Sequence, residues 1–286
     1  MPEKCRWYCV TSVLLCLLLA GCSGQFLFRN IDWFVRDYVD DYVSLTDAQE
    51  EILDEEVHRI QRWMIHHAVA EYIRFLDQLS GLNPAEISSG EFSSLRQQTL
   101  VFTRTLMKQA APAITRLSET FTPEQSQQFI SALHQRHHDL NKKYLFGTAE
   151  ELREKAEKRI RERLETWLGD LTPEQNQTIR VWINHNDMNS RTWRTWQHKL
   201  EAEAQSLMDQ RKKPASFQAR LNDLLQNTES YYPPGFRRLV EHNQRTSQTY
   251  LLQIIHQMTP AQTKHFRQEI QDWKDIALEI QNTVIK

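Results

Sequence analysis

Three imidazoles crowd one short stretch of the chain, at His134, His137 and His138. On a helix the outer two lie four residues apart and share a face, so His134 and His138 could hold one metal ion, copper or zinc, through neutral ring nitrogens. The same pattern also serves as a plain solvated face, because Gln135, Arg136 and Asp139 surround the histidines. His66 and His67 are adjacent and would point apart on a helix. Glu55-x-x-His58 has the spacing used in di-iron helix bundles, but such a bundle needs a second copy and the chain has none. There is no Gly-x-Ser-x-Gly elbow, phosphate-binding glycine loop, His-Glu-x-x-His or dinucleotide fingerprint, so the chain reads as a protein that is not an enzyme. Trp182, Trp193 and Trp196 gather around the break at residues 184–189, and Tyr231-Tyr232 precede two prolines. Large amphipathic rings are common at interfaces and commoner still in cores.

The elements that must position these residues are helices. Glycine is scarce, alternating β-branched runs are almost absent, and Gln, Glu, Arg, Leu and Ala dominate. Breaks fall at Gly81-Leu82-Asn83-Pro84, Ser88-Ser89-Gly90, Phe146-Gly147, Lys213-Pro214 and the run from Tyr231 to Gly235. Between them the pattern predicts eight to ten helices, the longest from Asp47 to about Leu79 and the most charged from Ala149 to about Leu168. In the latter, Leu152, Ala156, Ile160, Leu164 and Trp167 form one apolar stripe.

One motif, apolar-Thr-x-x-Gln, occurs four times: at Leu45-Thr46 with Gln49, Phe121-Thr122 with Gln125, Leu171-Thr172 with Gln175, and Met258-Thr259 with Gln262. It is a capping box. The Thr hydroxyl accepts from the N3 backbone N–H, and the Gln side chain reaches back to the Thr N–H. Proline after Thr122, Thr172 and Thr259 presets φ for the first helical turn. Seven and eleven residues beyond each Thr stand Leu53 and Val57, Phe129 and Leu133, Ile179 and Ile183, Phe266 and Ile270, so each copy also orients a buried face. The apolar residue before each Thr has only polar neighbours at N4 (Glu50, Ser126, Asn176, Thr263) and must dock elsewhere. Spacings of 76, 50 and 87 residues are too irregular for a solenoid.

The N-terminus has the three regions of a secretory signal: Lys4 and Arg6, the apolar run Val13 to Leu19, and Leu19-Ala20-Gly21-Cys22. The run is shorter than the roughly 18 to 20 residues a spanning helix needs. Small residues directly before a cysteine form a lipobox, so Cys22 is expected to become a lipid-bearing N-terminus, with membrane lipid as its partner and no other cofactor. Cys5, Cys9 and Cys16 would leave with residues 1–21, so the mature chain has no disulfide and no cysteine metal site. That mature chain carries 33 basic and 36 acidic residues, a near balance that gives no reason to expect nucleic acid as a partner.

Leu-Thr-x-x-Gln motifs in an exported helical chain resemble the Spy/CpxP group of periplasmic chaperones, which implies a cradle for unfolded clients; this chain is much longer and carries a lipobox. A second resemblance is to an uncharacterised family of Gram-negative helical lipoproteins. It rests on Asn30-Ile31-Asp32-Trp33 and on residues 37–43 running into Leu45-Thr46. Ser23 rather than Asp after the cysteine implies, by the same likeness, the outer membrane facing the periplasm. The sequence therefore leads to an all-α, elongated multi-helix domain at 30–286, one body or two lobes with a break near 147 or 188, behind a 1–21 signal peptide and a 22–29 tether. The leading functional expectation is a non-catalytic, membrane-tethered periplasmic binding protein, chaperone-like toward envelope protein clients; the alternative is a copper- or zinc-binding envelope-stress protein using His134 and His138.

Overall fold

The computed structural model describes Phe28 and residues 30–283; the signal peptide at 1–21, Cys22 and the rest of the tether lie outside the described residues. Those residues are helical, with turns between and no strand. In chain order the helices are α1 (Ile31–Asp40), α2 (Asp47–Trp63), a π-helical turn (Met64–Ala68), α3 (Val69–Ser80), α4 (Ser89–Thr120), α5 (Pro123–Tyr144), α6 (Ala149–Leu168), α7 (Pro173–His185), α8 (Ser190–Asp209), α9 (Pro214–Gln226), a 3-10 turn (Thr228–Tyr231), α10 (Pro234–His256) and α11 (Pro260–Thr283). The segment expected from Asp47 to Leu79 is continuous to Ser80, and the π turn inside it is invisible in the apolar pattern. The charged helix has the expected bounds, and Gly169 ends it in a left-handed turn at φ 71°.

Three apolar clusters hold the helices together. In the first, Val43, Leu53 and Val57 meet Ala111, Phe121 and Ile130, with Leu207 from α8 and Phe217 and Leu221 from α9. In the second, Met64, Val69 and Leu76 pack on Ile270, Trp273 and Ile276 of α11. The third joins Ala156 and Leu168 of α6 to Ile179, Trp182 and Ile183 of α7 and Ile254 of α10. Trp167 touches both the second and third. Of the eight positions set by the Thr-x-x-Gln copies, all but Leu133 belong to these clusters, and Leu133 is half-buried. Two helical turns from a fixed cap leave each residue no choice of face.

The four caps do not act singly. Gln49 and Gln125 face each other and exchange two amide hydrogen bonds: Gln49 Nε2 donates to Gln125 Oε1 at 3.0 Å, and Gln125 Nε2 donates to Gln49 Oε1 at 2.7 Å. Gln175 and Gln262 do the same at 3.0 and 2.8 Å. Each Oε1 also accepts its own threonine N–H, from Thr46, Thr122, Thr172 and Thr259, at 3.0 to 3.1 Å. Each second amide hydrogen goes across the junction, to Thr120 Oγ1, Ser44 O, Ile254 O and Asp170 O respectively. A glutamine has two donors and two acceptor sites, so all four side chains are fully satisfied although Gln49, Gln175 and Gln262 are buried. The residue before each Thr docks on the body: Leu45 and Phe121 enter the first cluster, Leu171 and Met258 the third.

Two further boxes, Ser88 with Glu91 and Thr148 with Glu151, were not singled out above. They carry Glu at N3 and are exposed. A carboxylate closes a box as well as an amide does, but it has no donor for a twin. Thr122→Ala should cost about 1 kcal/mol, as lost N-caps do. Gln175→Glu keeps its box yet sets a buried carboxylate against Gln262 Oε1, and should cost about 2 to 3 kcal/mol. Urea unfolding of both variants checks the order; equal losses would mean the amide pair adds nothing to the cap.

Candidate functional site

The threonines and glutamines of the caps are spent on internal bonds, so functional chemistry has to be sought elsewhere. Of the histidines on α5, His138 is exposed and sits 3.5 Å from its neighbour Asp139. His137, which sequence reasoning passed over, is buried. Its Nδ1 donates to Oε1 of Glu201 on α8 at 2.5 Å. His134 Nε2 lies 3.4 Å from Glu201 Oε2, and His198 Nδ1, one turn before Glu201 on α8, lies 3.2 Å from the same oxygen. Three imidazoles thus converge on one buried carboxylate, and His134 and His138 turn to different acceptors. His198 and Glu201 stand sixty or more residues from the histidine run, so nothing local could have announced them. Among the described residues no group of three or more His, Cys, Asp or Glu side chains could, as placed, hold a metal ion.

A second buried carboxylate, Glu56 on α2, is held differently. Arg59 Nε donates to its Oε2 at 2.7 Å and Arg116 of α4 donates to Oε1 at 3.1 Å, while Arg59 also reaches Gln109 O. Glu55 pairs with Arg116 at 2.9 Å, so Glu55 of the Glu55-x-x-His58 pair serves an ion-pair network tying α2 to α4. Burial pushes the Glu56 carboxyl up, and the hydrogen bonds and charges of Arg59 and Arg116 outweigh it, leaving the carboxyl below the ordinary range.

The aromatic residues divide. Trp182 is in the third cluster, and Trp196 is buried, stacked on Phe236 and edge-on to Tyr232. Trp193 meets the same Phe236 edge-on at 4.8 Å but keeps 37% of its surface exposed. Between the α7–α8 turn and α10, lined by Thr192 rather than by Trp193, lies an open cleft of about 430 Å³. Asn189 and Thr192 form one wall, Arg238, His242 and Arg245 the other, and Asp187 and Glu241 add negative charge. The wall is fixed by Asn243, which bonds the Asp187 backbone at both N–H and carbonyl, each at 2.7 Å. Tyr231 serves the body instead, donating to Asp223. Helix α1 packs on α2: Arg36 pairs with Glu50 and Asp54, and Ile31, Val35 and Val39 enter the first core.

No helix among the described residues is long and apolar enough to cross a membrane. A model described as a family of unknown function (DUF6279) matches residues 41–237. That is more than half of the chain, and the chain belongs to this family. No curated protein and no solved structure matches it.

The Glu56 carboxylate leads to a pH test. A carboxyl held low contributes stability that is complete above the unfolded value of about 4.3 and is lost as pH falls through the lower folded value. Urea midpoints measured from about pH 6 down to about pH 3 should therefore fall less steeply in Glu56→Gln than in wild type. An unchanged slope would mean that the arginines do not favour the ionised carboxyl.

Proposed function

We propose that this is a non-catalytic binding protein of the bacterial envelope, anchored by lipid on Cys22 at the periplasmic face of the outer membrane, and that its domain holds segments of other envelope proteins in a chaperone-like way. The observation that carries the binding part is the cleft beside Trp193. It offers charges of both signs and hydrogen-bonding side chains, and the residue after Thr192 on its wall is the part-exposed Trp193, a mixture that suits a polypeptide, which presents backbone amides, charged side chains and apolar groups together. Phe236 backs the indole and is itself held by Trp196 and Tyr232, so little side-chain freedom is lost when a ligand covers it. Support for the anchor is the sequence Leu19-Ala20-Gly21-Cys22 alone. The absence of recognised catalytic motifs motivates the non-catalytic reading.

Two measurements test the two halves separately. Cys22→Ala should stop incorporation of labelled palmitate and release the chain from outer-membrane fractions; a variant that still labels and fractionates with membrane would overturn the anchor. A photo-crosslinker placed at Thr192 in intact cells should capture envelope polypeptides, and Trp193→Ala should reduce that capture about tenfold, the effect of removing a central aromatic anchor. Capture that is unaffected by Trp193→Ala, with the fold intact by circular dichroism, would move the binding surface away from this cleft.

A further inference from the structure

The cleft between the α7–α8 turn and α10 has a charge character of its own. Residues 187–199 and 234–248, which supply its two sides, carry Arg191, Arg194, Lys199, Arg237, Arg238 and Arg245 against only Asp187 and Glu241. The chain as a whole runs the other way, with 35 basic and 37 acidic residues. A local excess of base on a slightly acidic protein draws negative charge to that surface.

Two of these arginines line the cleft itself. Arg238 and Arg245 lie seven residues apart on α10 and share a face, with His242 between them. Neither makes an ion pair or a side-chain hydrogen bond among the described residues. Arg36, Arg59, Arg116, Arg161 and Arg220, by contrast, each hold a carboxylate. Glu241 stands one turn from both cleft arginines and pairs with neither, and Asp187 accepts the Asn189 N–H at 3.0 Å. His242 is fixed by donating from Nε2 to His185 O at 2.7 Å. The first residues of two long helices border the same space, Asn189 and Thr192 of α8 and Gly235 of α10. Their positive dipole ends add to the charge of the arginines.

We propose that this cleft selects polypeptide segments bearing Asp or Glu, with Arg238 and Arg245 taking the carboxylates. The inference rests on the client-holding reading of the cleft and adds the chemical class of client. Seven residues of helix separate the two arginines by about 10 Å along the axis, within the spacing of carboxylates two to four residues apart in an extended chain. Guanidinium groups fit carboxylates through a two-bond fork. The concave shape and the acids among the bases favour a polypeptide over a lipid surface. Asp187 and Glu241 repel phosphates, whereas a peptide brings N–H groups and basic side chains to meet them.

The test is fluorescence anisotropy of the full chain in detergent with labelled, unstructured peptides that are alike except at their polar positions, Asp and Glu in one, Asn and Gln in another. The acidic peptide should bind about tenfold tighter, an advantage that shrinks as salt is raised. Arg238→Gln with Arg245→Gln should remove that advantage and change the amide peptide by less than about twofold. Both arginines are exposed and unpaired, so the variant keeps the fold. Glu241→Gln should tighten the acidic peptide by about twofold, a gain that damage to the fold does not produce. Equal binding of the two peptides, or an acidic preference that survives the double variant, would overturn the proposal. So would adhesion to phosphatidylglycerol vesicles that needs both arginines, with no preference between the peptides. Equal binding of both peptides that is lost in Trp193→Ala would sink this inference alone and leave the client-holding reading in place. An acidic preference in solution without capture at Thr192 in cells would do the reverse.

Discussion

Two reciprocal amide pairs fix the junctions of this helical fold. In each, an N3 glutamine closes its own helix cap with its oxygen and grips a second cap with its nitrogen, so helix initiation and helix–helix docking share one side chain. A cap alone adds about 1 kcal/mol to a helix and says nothing about where that helix goes. Pairing two caps face to face sets the position of both helix N-termini at once, α2 with α5 and α7 with α11. The apolar residue before each threonine then enters the adjoining core, and the stripe seven and eleven residues on follows from helical period. The DUF6279 match ends at residue 237, so it contains the first pair whole and only the Gln175 half of the second.

Two buried carboxylates show two solutions to the same problem. Glu56 is neutralised by arginines that keep their charge at any relevant pH, and the result is a permanent clamp between α2 and α4. Glu201 is surrounded by imidazoles, which can donate a hydrogen bond, carry a charge or bind a metal. A clamp has no use for that versatility. The difference in partner, more than burial itself, separates the two interfaces.

The aromatic groups follow a related division of labour. Trp196, Phe236 and Tyr232 pack on one another, and Trp193 is left at the rim with its edge on Phe236. The rim residue follows Thr192, which lines a cleft whose polar walls come from the α7–α8 turn and α10. Neither the cleft nor the histidine cluster lies within a single helix. Each is made where two helices distant in sequence are brought side by side.

What was read from the sequence was governed by neighbours within about four residues: the all-α class, the bounds of α6, the long run from Asp47, the four Thr-x-x-Gln helix starts, and the faces those helices bury. The choice of Gln rather than Glu at N3 was also written there, and it separates the paired caps from the solitary boxes at Ser88 and Thr148; without the fold there was no reason to read it. The tertiary structure alone decided that Gln49 meets Gln125, that Gln175 meets Gln262, and that His137 rather than His138 turns inward. It also brought His198 and Glu201 to the histidine run and left Trp193, of three tryptophans, at the surface. Helical period is a local property, because each turn is closed by hydrogen bonds four residues apart. Which of two adjacent histidines is buried depends on the azimuth of a helix against a partner more than sixty residues away, and that is set by packing between faces whose local patterns are alike.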